Sequence, residues 1–147
     1  MNNASTPFRV TGALAIIGAG LIAAAIAYRP TMPLVWMVAY LVLVTGVVQY
    51  VLGSAQAALA VNPPRVGTLW AEWVLLNLGH AGVIGGTLTG NFGLLIAGTI
   101  FYDLAMILFG WSVRAGTPGP RRVGYWLLIL AMIASSLIGI SLTLAKR

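Results

Sequence analysis

The chain alternates between long apolar stretches and short loops, and this alternation is the feature that most restricts its fold. Each stretch is close to the roughly 20 mostly apolar residues that a helix needs to cross a bilayer. The loops between them are rich in proline and glycine, which end helices. The pattern therefore predicts an all-α integral membrane protein. We expect a single domain over residues 1–147, a bundle of five transmembrane helices at about 10–28, 34–59, 68–89, 94–113 and 123–144.

Composition points to lipid as the solvent of this chain. It is 60% hydrophobic and 7% charged, whereas about a quarter of the residues of a typical soluble domain are charged. The net charge of +6 comes from basic residues near the ends of the stretches: Arg9, Arg29, Arg65, Arg114, Arg121, Arg122, Lys146 and Arg147. That placement suits anionic lipid headgroups, and we expect no nucleic-acid partner because no basic patch interleaves with aromatic residues. The absence of cysteine excludes disulfides, thiolate metal sites and thiol nucleophiles.

The same basic residues predict an orientation. Five spans put the two termini on opposite sides of the bilayer. The side of the N-terminus carries five arginines, and the other side carries Arg29, Lys146 and Arg147. Because positive loops stay in the cytoplasm, we expect a multi-pass protein of the cell membrane with a cytoplasmic N-terminus and an external C-terminus.

Both acidic residues of the chain and its only histidine lie inside the predicted spans: Glu72, Asp103 and His80. A charge at such a depth is costly and usually marks a functional site in membrane proteins. Counting 1.5 Å per residue from the loops places His80 and Asp103 near the midplane and Glu72 in the cytoplasmic third. We therefore expect Glu72, Asp103 and His80 to supply any catalytic groups.

Polar and aromatic side chains on the second, third and fourth helices are expected to join this cluster. The two glutamines lie two turns apart on one face of the second helix, and the third helix carries its polar residues on one broad face. These neighbours are the predicted ligand-binding residues: Gln49, Gln56, Asn77, Tyr102 and Trp73.

Several functions are compatible with a buried polar cluster of this kind. The main hypothesis is a site for a lipophilic ligand or cofactor such as haem or quinone, in a protein that forms part of a larger complex. The first alternative is a membrane enzyme of isomerase or cyclase type, with acid–base chemistry on a lipid or isoprenoid-like substrate. The second is a proton-coupled transporter or channel assembled as a homo-oligomer. A purely structural role, in which the polar groups satisfy one another, stays open beside these.

Motifs narrow these choices only by their absence. No CxxCH, GxSxG or Walker sequence occurs, so covalent haem attachment, a hydrolase elbow and nucleotide binding lack sequence support. A single histidine leaves bis-histidine haem dependent on another subunit. The clustered spacing of metal ligands is missing, and no metal site is predicted. We expect the first and last helices, which carry small-residue stripes, to meet a membrane-protein partner or a second copy.

Overall fold

The computed structural model of the chain describes residues 3–116 and 118–145, and every regular element in these residues is helical. After a short 3-10 turn, five long helices follow: α1 (Thr6–Ile26), α2 (Met32–Leu59), α3 (Val66–Thr89), α4 (Phe92–Val113) and α5 (Pro120–Ala145). The all-α class is as predicted. Lys146 and Arg147, which were expected to flank the last helix, lie outside the described residues.

Four of the five helices are long and apolar enough to cross a membrane: α1, α2, α4 and α5. The helix α3 was expected to be a fifth span. It has 24 residues, which is ample length, but it is not among these candidates. Its polar residues lower its mean hydropathy below that of the other helices.

Three helices carry a proline in their first turn. Pro7 and Pro33 stand at the second position of α1 and α2, and Pro120 is the first residue of α5. Proline is tolerated there because the first N–H groups of a helix have no acceptor within the helix. The predicted starts at 34 and 123 are later than the observed ones because the sequence pattern places Pro33 and Pro120 in loops, and the predicted start at 10 is later because it follows the basic flank at Arg9.

Contacts between residues divide the chain into two compact units, Met1–Ala58 and Leu59–Arg147. In the first unit α1 crosses α2 where Gly12 faces Gly46, and a Cβ atom on Gly12 would lie 2.7 Å from the Gly46 carbonyl oxygen. The Nε of Arg9 donates a hydrogen bond to the Tyr50 hydroxyl at 3.3 Å. The middle of α2, Leu41–Val48, is π-helical. This geometry usually spans only a single turn.

In the second unit α3 and α4 form an antiparallel hairpin with only two residues between them. Gly90 ends α3 with a φ of 69°, a left-handed conformation that glycine adopts without a Cβ clash. Asn91 then caps α4, because its Oδ1 accepts a hydrogen bond from the Leu94 amide at 3.1 Å. The last helix, α5, packs against α4.

Candidate functional site

Glycines hold the two helices of the hairpin in backbone contact. A Cβ atom on Gly82 would lie 2.6 Å from the Cα of Gly98, and one on Gly79 would lie 2.7 Å from the backbone nitrogen of Tyr102. Small residues permit this approach, which favours helix association in lipid. The contacts also give the register of the hairpin, since residue 79 meets 102 and residue 82 meets 98.

Glu72 lies on α3 toward the open end of this hairpin, and it is completely buried. The hydroxyl of Ser112, on α4, donates a hydrogen bond to Glu72 Oε1 at 2.7 Å. Tyr125 on α5 is also buried, and it interacts electrostatically with Glu72. The helices α3 and α4 thus contribute a hydrogen-bonded pair of carboxyl and hydroxyl groups, and α5 contributes a buried phenol within electrostatic range of the carboxyl.

His80 lies two turns further along α3 and is 3% exposed. Its ring packs against that of Tyr102 on α4, with 5.5 Å between the ring centroids and a tilt of 55°. The backbone of the neighbouring Gly79 touches the backbone of the same tyrosine. His80 and Tyr102, two of the predicted site residues, are therefore brought together inside the hairpin.

Asp103 hydrogen-bonds to a residue of α5. It is partly buried and accepts a hydrogen bond at 2.8 Å from the hydroxyl of Ser136, on α5. Successive helical side chains point about 100° apart, so when Tyr102 faces α3 the next residue faces another direction. Ser112 lies nine residues beyond Asp103, or roughly 13 Å along α4. The two carboxyl groups therefore hydrogen-bond at separate places on this helix.

The remaining predicted residues of α3 have local contacts. The Nδ2 of Asn77 donates to the backbone oxygen of Trp73 at 2.8 Å, one turn earlier in its own helix. The ring of Trp73 meets that of Trp70 edge to face, with the centroids 5.6 Å apart. One N–H of the Asn77 amide is therefore occupied by a bond within its own helix. The paired tryptophans border the turn that contains Glu72.

Gln49 and Gln56 belong to the first unit and are both buried on α2. Among the described residues, neither the oxygen nor the nitrogen of the Gln49 amide has a hydrogen-bond partner. The buried hydroxyl of Thr45, four residues earlier on the same face, likewise has no hydrogen-bond partner in the described part of the chain. An unpaired buried amide is costly, so Gln49 stays a ligand-binding candidate.

Three hydroxyl residues of the site are absent from the sequence-based prediction: Ser112, Tyr125 and Ser136. Serine is common in helix contacts of membrane proteins, and tyrosine near a helix end is normally assigned to the headgroup level. The signal that would identify Ser112 is the register of the hairpin. It requires knowing that only two residues separate α3 from α4.

No family model, curated protein or solved structure matches the chain. Within residues 3–116 and 118–145, no three histidine, aspartate or glutamate side chains lie close enough together to hold a metal ion. The groups that the site does offer are a buried carboxyl, a hydroxyl that hydrogen-bonds to it, a phenol that interacts with it electrostatically, and an imidazole packed at a tilt against a second phenol ring.

Proposed function

We propose that the protein is an integral membrane protein of five spanning helices that binds a lipophilic small molecule by its polar head at Glu72 and Tyr125. One observation carries this proposal. Glu72 has no exposed surface, one of its oxygens accepts the hydrogen bond of Ser112, and the buried hydroxyl of nearby Tyr125 has no hydrogen-bond partner among the described residues. A donor left unpaired in an apolar site is a position that a ligand acceptor can occupy.

The hairpin supports the fifth span. Helix α3 is 24 residues long, which corresponds to about 36 Å, more than the roughly 30 Å hydrocarbon core. It follows α4 closely from Gly86 to Glu72. If α4 crosses the bilayer, a helix packed antiparallel along it reaches the same depths. Five spans and the arginine distribution then favour a cytoplasmic N-terminus and an external C-terminus.

The hydrogen-bonding groups favour a ligand head that carries both an acceptor and a donor. The Tyr125 hydroxyl can donate to a carbonyl oxygen, and a carboxylate has several acceptor positions, so Glu72 can accept from a ligand hydroxyl beside its existing partners. Ser112 has a single proton, which it already gives to Glu72. A quinone and its reduced quinol present these two functions in turn, so a quinone-type head is the chemistry that this site fits best.

Haem is less well supported than quinone. Iron ligation requires an imidazole nitrogen with open space in front of it for the porphyrin plane. The ring of His80 instead packs against Tyr102 inside a hairpin whose backbones touch. The two helices would have to separate before His80 could bind haem.

Tryptophan fluorescence provides the test. Trp70 and Trp73 border Glu72, and Trp111 precedes Ser112, so a quinone bound at the site quenches their emission. We expect a short-chain quinone, added to the detergent-purified chain, to quench saturably. Tyr125→Phe removes only a hydroxyl, and the loss of one hydrogen bond of about 0.5–1.5 kcal/mol should weaken binding roughly twofold to tenfold. Glu72→Leu should weaken binding of the corresponding quinol, whose hydroxyl group donates to Glu72, more than binding of the quinone.

The matched control is Tyr28→Phe, the same chemical change at a tyrosine that is 88% exposed. This variant should bind the quinone as the parent chain does. Quenching that rises linearly with quinone concentration and is equal in all four proteins would mean that the quinone only partitions into the micelle. The proposed site at Glu72 would then be wrong.

A further inference from the structure

Arg122 hydrogen-bonds to two carbonyl groups of the loop that follows α4. Its Nη1 donates to the oxygen of Gly116 at 2.5 Å, and its Nη2 donates to the oxygen of Arg114. A guanidinium has five N–H donors. Arg122 therefore keeps donors for a further acceptor while it remains fixed in place by the loop.

A groove of about 320 Å³ lies beside this arginine at the start of α5, and its lining combines one cation with apolar side chains. The lining residues are Pro118, Gly119, Arg122, Val123, Trp126 and Leu127. No carboxylate is among them, and the two acidic residues of the chain are engaged elsewhere, Glu72 with Ser112 and Asp103 with Ser136. Arg121, the next residue along the chain, is exposed and adds a second positive charge.

We infer that this groove binds one anionic phospholipid. The charge is complementary, because phosphate oxygens can accept hydrogen bonds from the remaining N–H groups of Arg122 and no carboxylate in the lining repels them. The indole of Trp126 and the side chain of Leu127 form an apolar wall for the adjoining acyl chain. The groove lies at the start of α5, a helix long enough to span a bilayer. This end of the helix is at the headgroup level if the chain is a membrane protein. The inference therefore rests on the membrane insertion that the proposed function includes.

Native mass spectrometry of the full chain in detergent tests the inference. The probes are phosphatidylglycerol and phosphatidylcholine with identical chains, and glycerol 3-phosphate, which has the charged head without the chains. We expect the parent chain to retain phosphatidylglycerol in excess over phosphatidylcholine and to retain no glycerol 3-phosphate. A juxtamembrane arginine contributes roughly a fivefold preference for anionic lipid, so Arg122→Gln should reduce the excess by about that factor.

A second variant tests the contribution of the groove's shape independently of the arginine charge. Gly119 lines the groove and a Cβ atom on it would meet no atom within 4 Å, so Gly119→Leu adds a bulky side chain to the lining without a clash and leaves every arginine in place. It should also reduce the excess of phosphatidylglycerol. Arg29→Gln, at an exposed arginine after α1 that does not line the groove, is the control and should reduce the excess less than Arg122→Gln does.

Equal retention of the two phospholipids by the parent chain overturns the inference, as does an unchanged excess in either Arg122→Gln or Gly119→Leu. Retention of glycerol 3-phosphate would show that the site binds phosphate alone, which also overturns it. Alkaline carbonate extraction tests membrane insertion separately. Chain that stays in the membrane pellet but lacks the lipid preference refutes the groove only, whereas chain released to the supernatant refutes the membrane proposal as well.

Discussion

A close backbone contact between α3 and α4 makes Gly98→Ala a sharp single test of the hairpin. A Cβ atom on Gly98 would lie 2.5 Å from the nitrogen of Val83 and 2.6 Å from the carbonyl carbon of Gly82. Atoms of this kind settle at about 3.5–4.0 Å. Both neighbours are backbone atoms that cannot rotate away, so the two helices have to separate by roughly 1 Å at this point.

The expected cost is about 1–3 kcal/mol in the free energy of unfolding, the usual penalty for overpacking. Alanine also favours a helix over glycine by up to about 1 kcal/mol, which offsets part of this cost. Gly139→Ala on α5 isolates the steric part, because a Cβ atom there meets nothing within 4 Å. Both variants gain helix propensity, and only Gly98→Ala creates a clash.

Unfolding of the purified protein in mixed micelles with increasing SDS gives the two free energies. We expect Gly98→Ala to be less stable than Gly139→Ala by about 1–3 kcal/mol. Equal stabilities would mean that α3 and α4 do not touch at Gly98. The register that places Ser112 beside Glu72 would then have to be abandoned.

Three further predictions concern other contacts. Asp103→Leu should lower the thermal-unfolding midpoint in detergent more than Asp103→Asn, because an amide oxygen can still accept from Ser136; equal midpoints would contradict a buried polar contact here. If α3 spans, single cysteines at Asn62 and Thr89, both exposed, should react with an impermeant thiol reagent from opposite sides of the membrane; labelling from one side would leave four spans. Asn91→Ala should cost about 1 kcal/mol of stability in SDS unfolding through the lost helix cap, and an unchanged stability would show that the cap is unimportant.

The helical class follows from hydropathy alone, because only helices of this length can hold such apolar stretches in lipid with their backbone groups satisfied. The loops follow from proline and glycine. The details at helix starts do not, since a proline such as Pro120 is compatible both with a loop and with the first turn of a helix. Only the hydrogen bonds of the backbone decide between them.

The partner of Glu72 could have been predicted once the turn was known. About the turn at residues 90 and 91, the mirror position of residue 72 is residue 109, yet Ser112 makes the contact. Helical side chains tilt toward the N-terminus of their own helix. Glu72 therefore reaches back along α3, which means further toward the C-terminal end of the antiparallel α4. A shift of three residues, or about 4.5 Å, agrees with the length of a glutamate side chain.

The direction of Asp103 could not be predicted in the same way. Depth counted from loops gives the level of a residue and says nothing of its angle around the helix. Tyr102 and Asp103 share a level, but Tyr102 packs on His80 of α3 whereas Asp103 bonds to Ser136 of α5. Which of the two faces α3 depends on where the glycines Gly79 and Gly98 bring the backbones together, a choice that packing makes over the whole hairpin.

The low hydropathy of α3 is explained by the same packing. A hydropathy average scores each residue as though lipid surrounded it, but the most polar residues of α3 are buried. Glu72 is fully enclosed and bonded to Ser112, and His80 is 3% exposed against Tyr102. The residues that lipid would meet on this helix are instead ones such as Val74 and Leu78, which are 41% and 51% exposed. A helix with an apolar outer surface and a polar contact face crosses lipid at far lower cost than its average hydropathy indicates, provided that it inserts together with α4 as a hairpin.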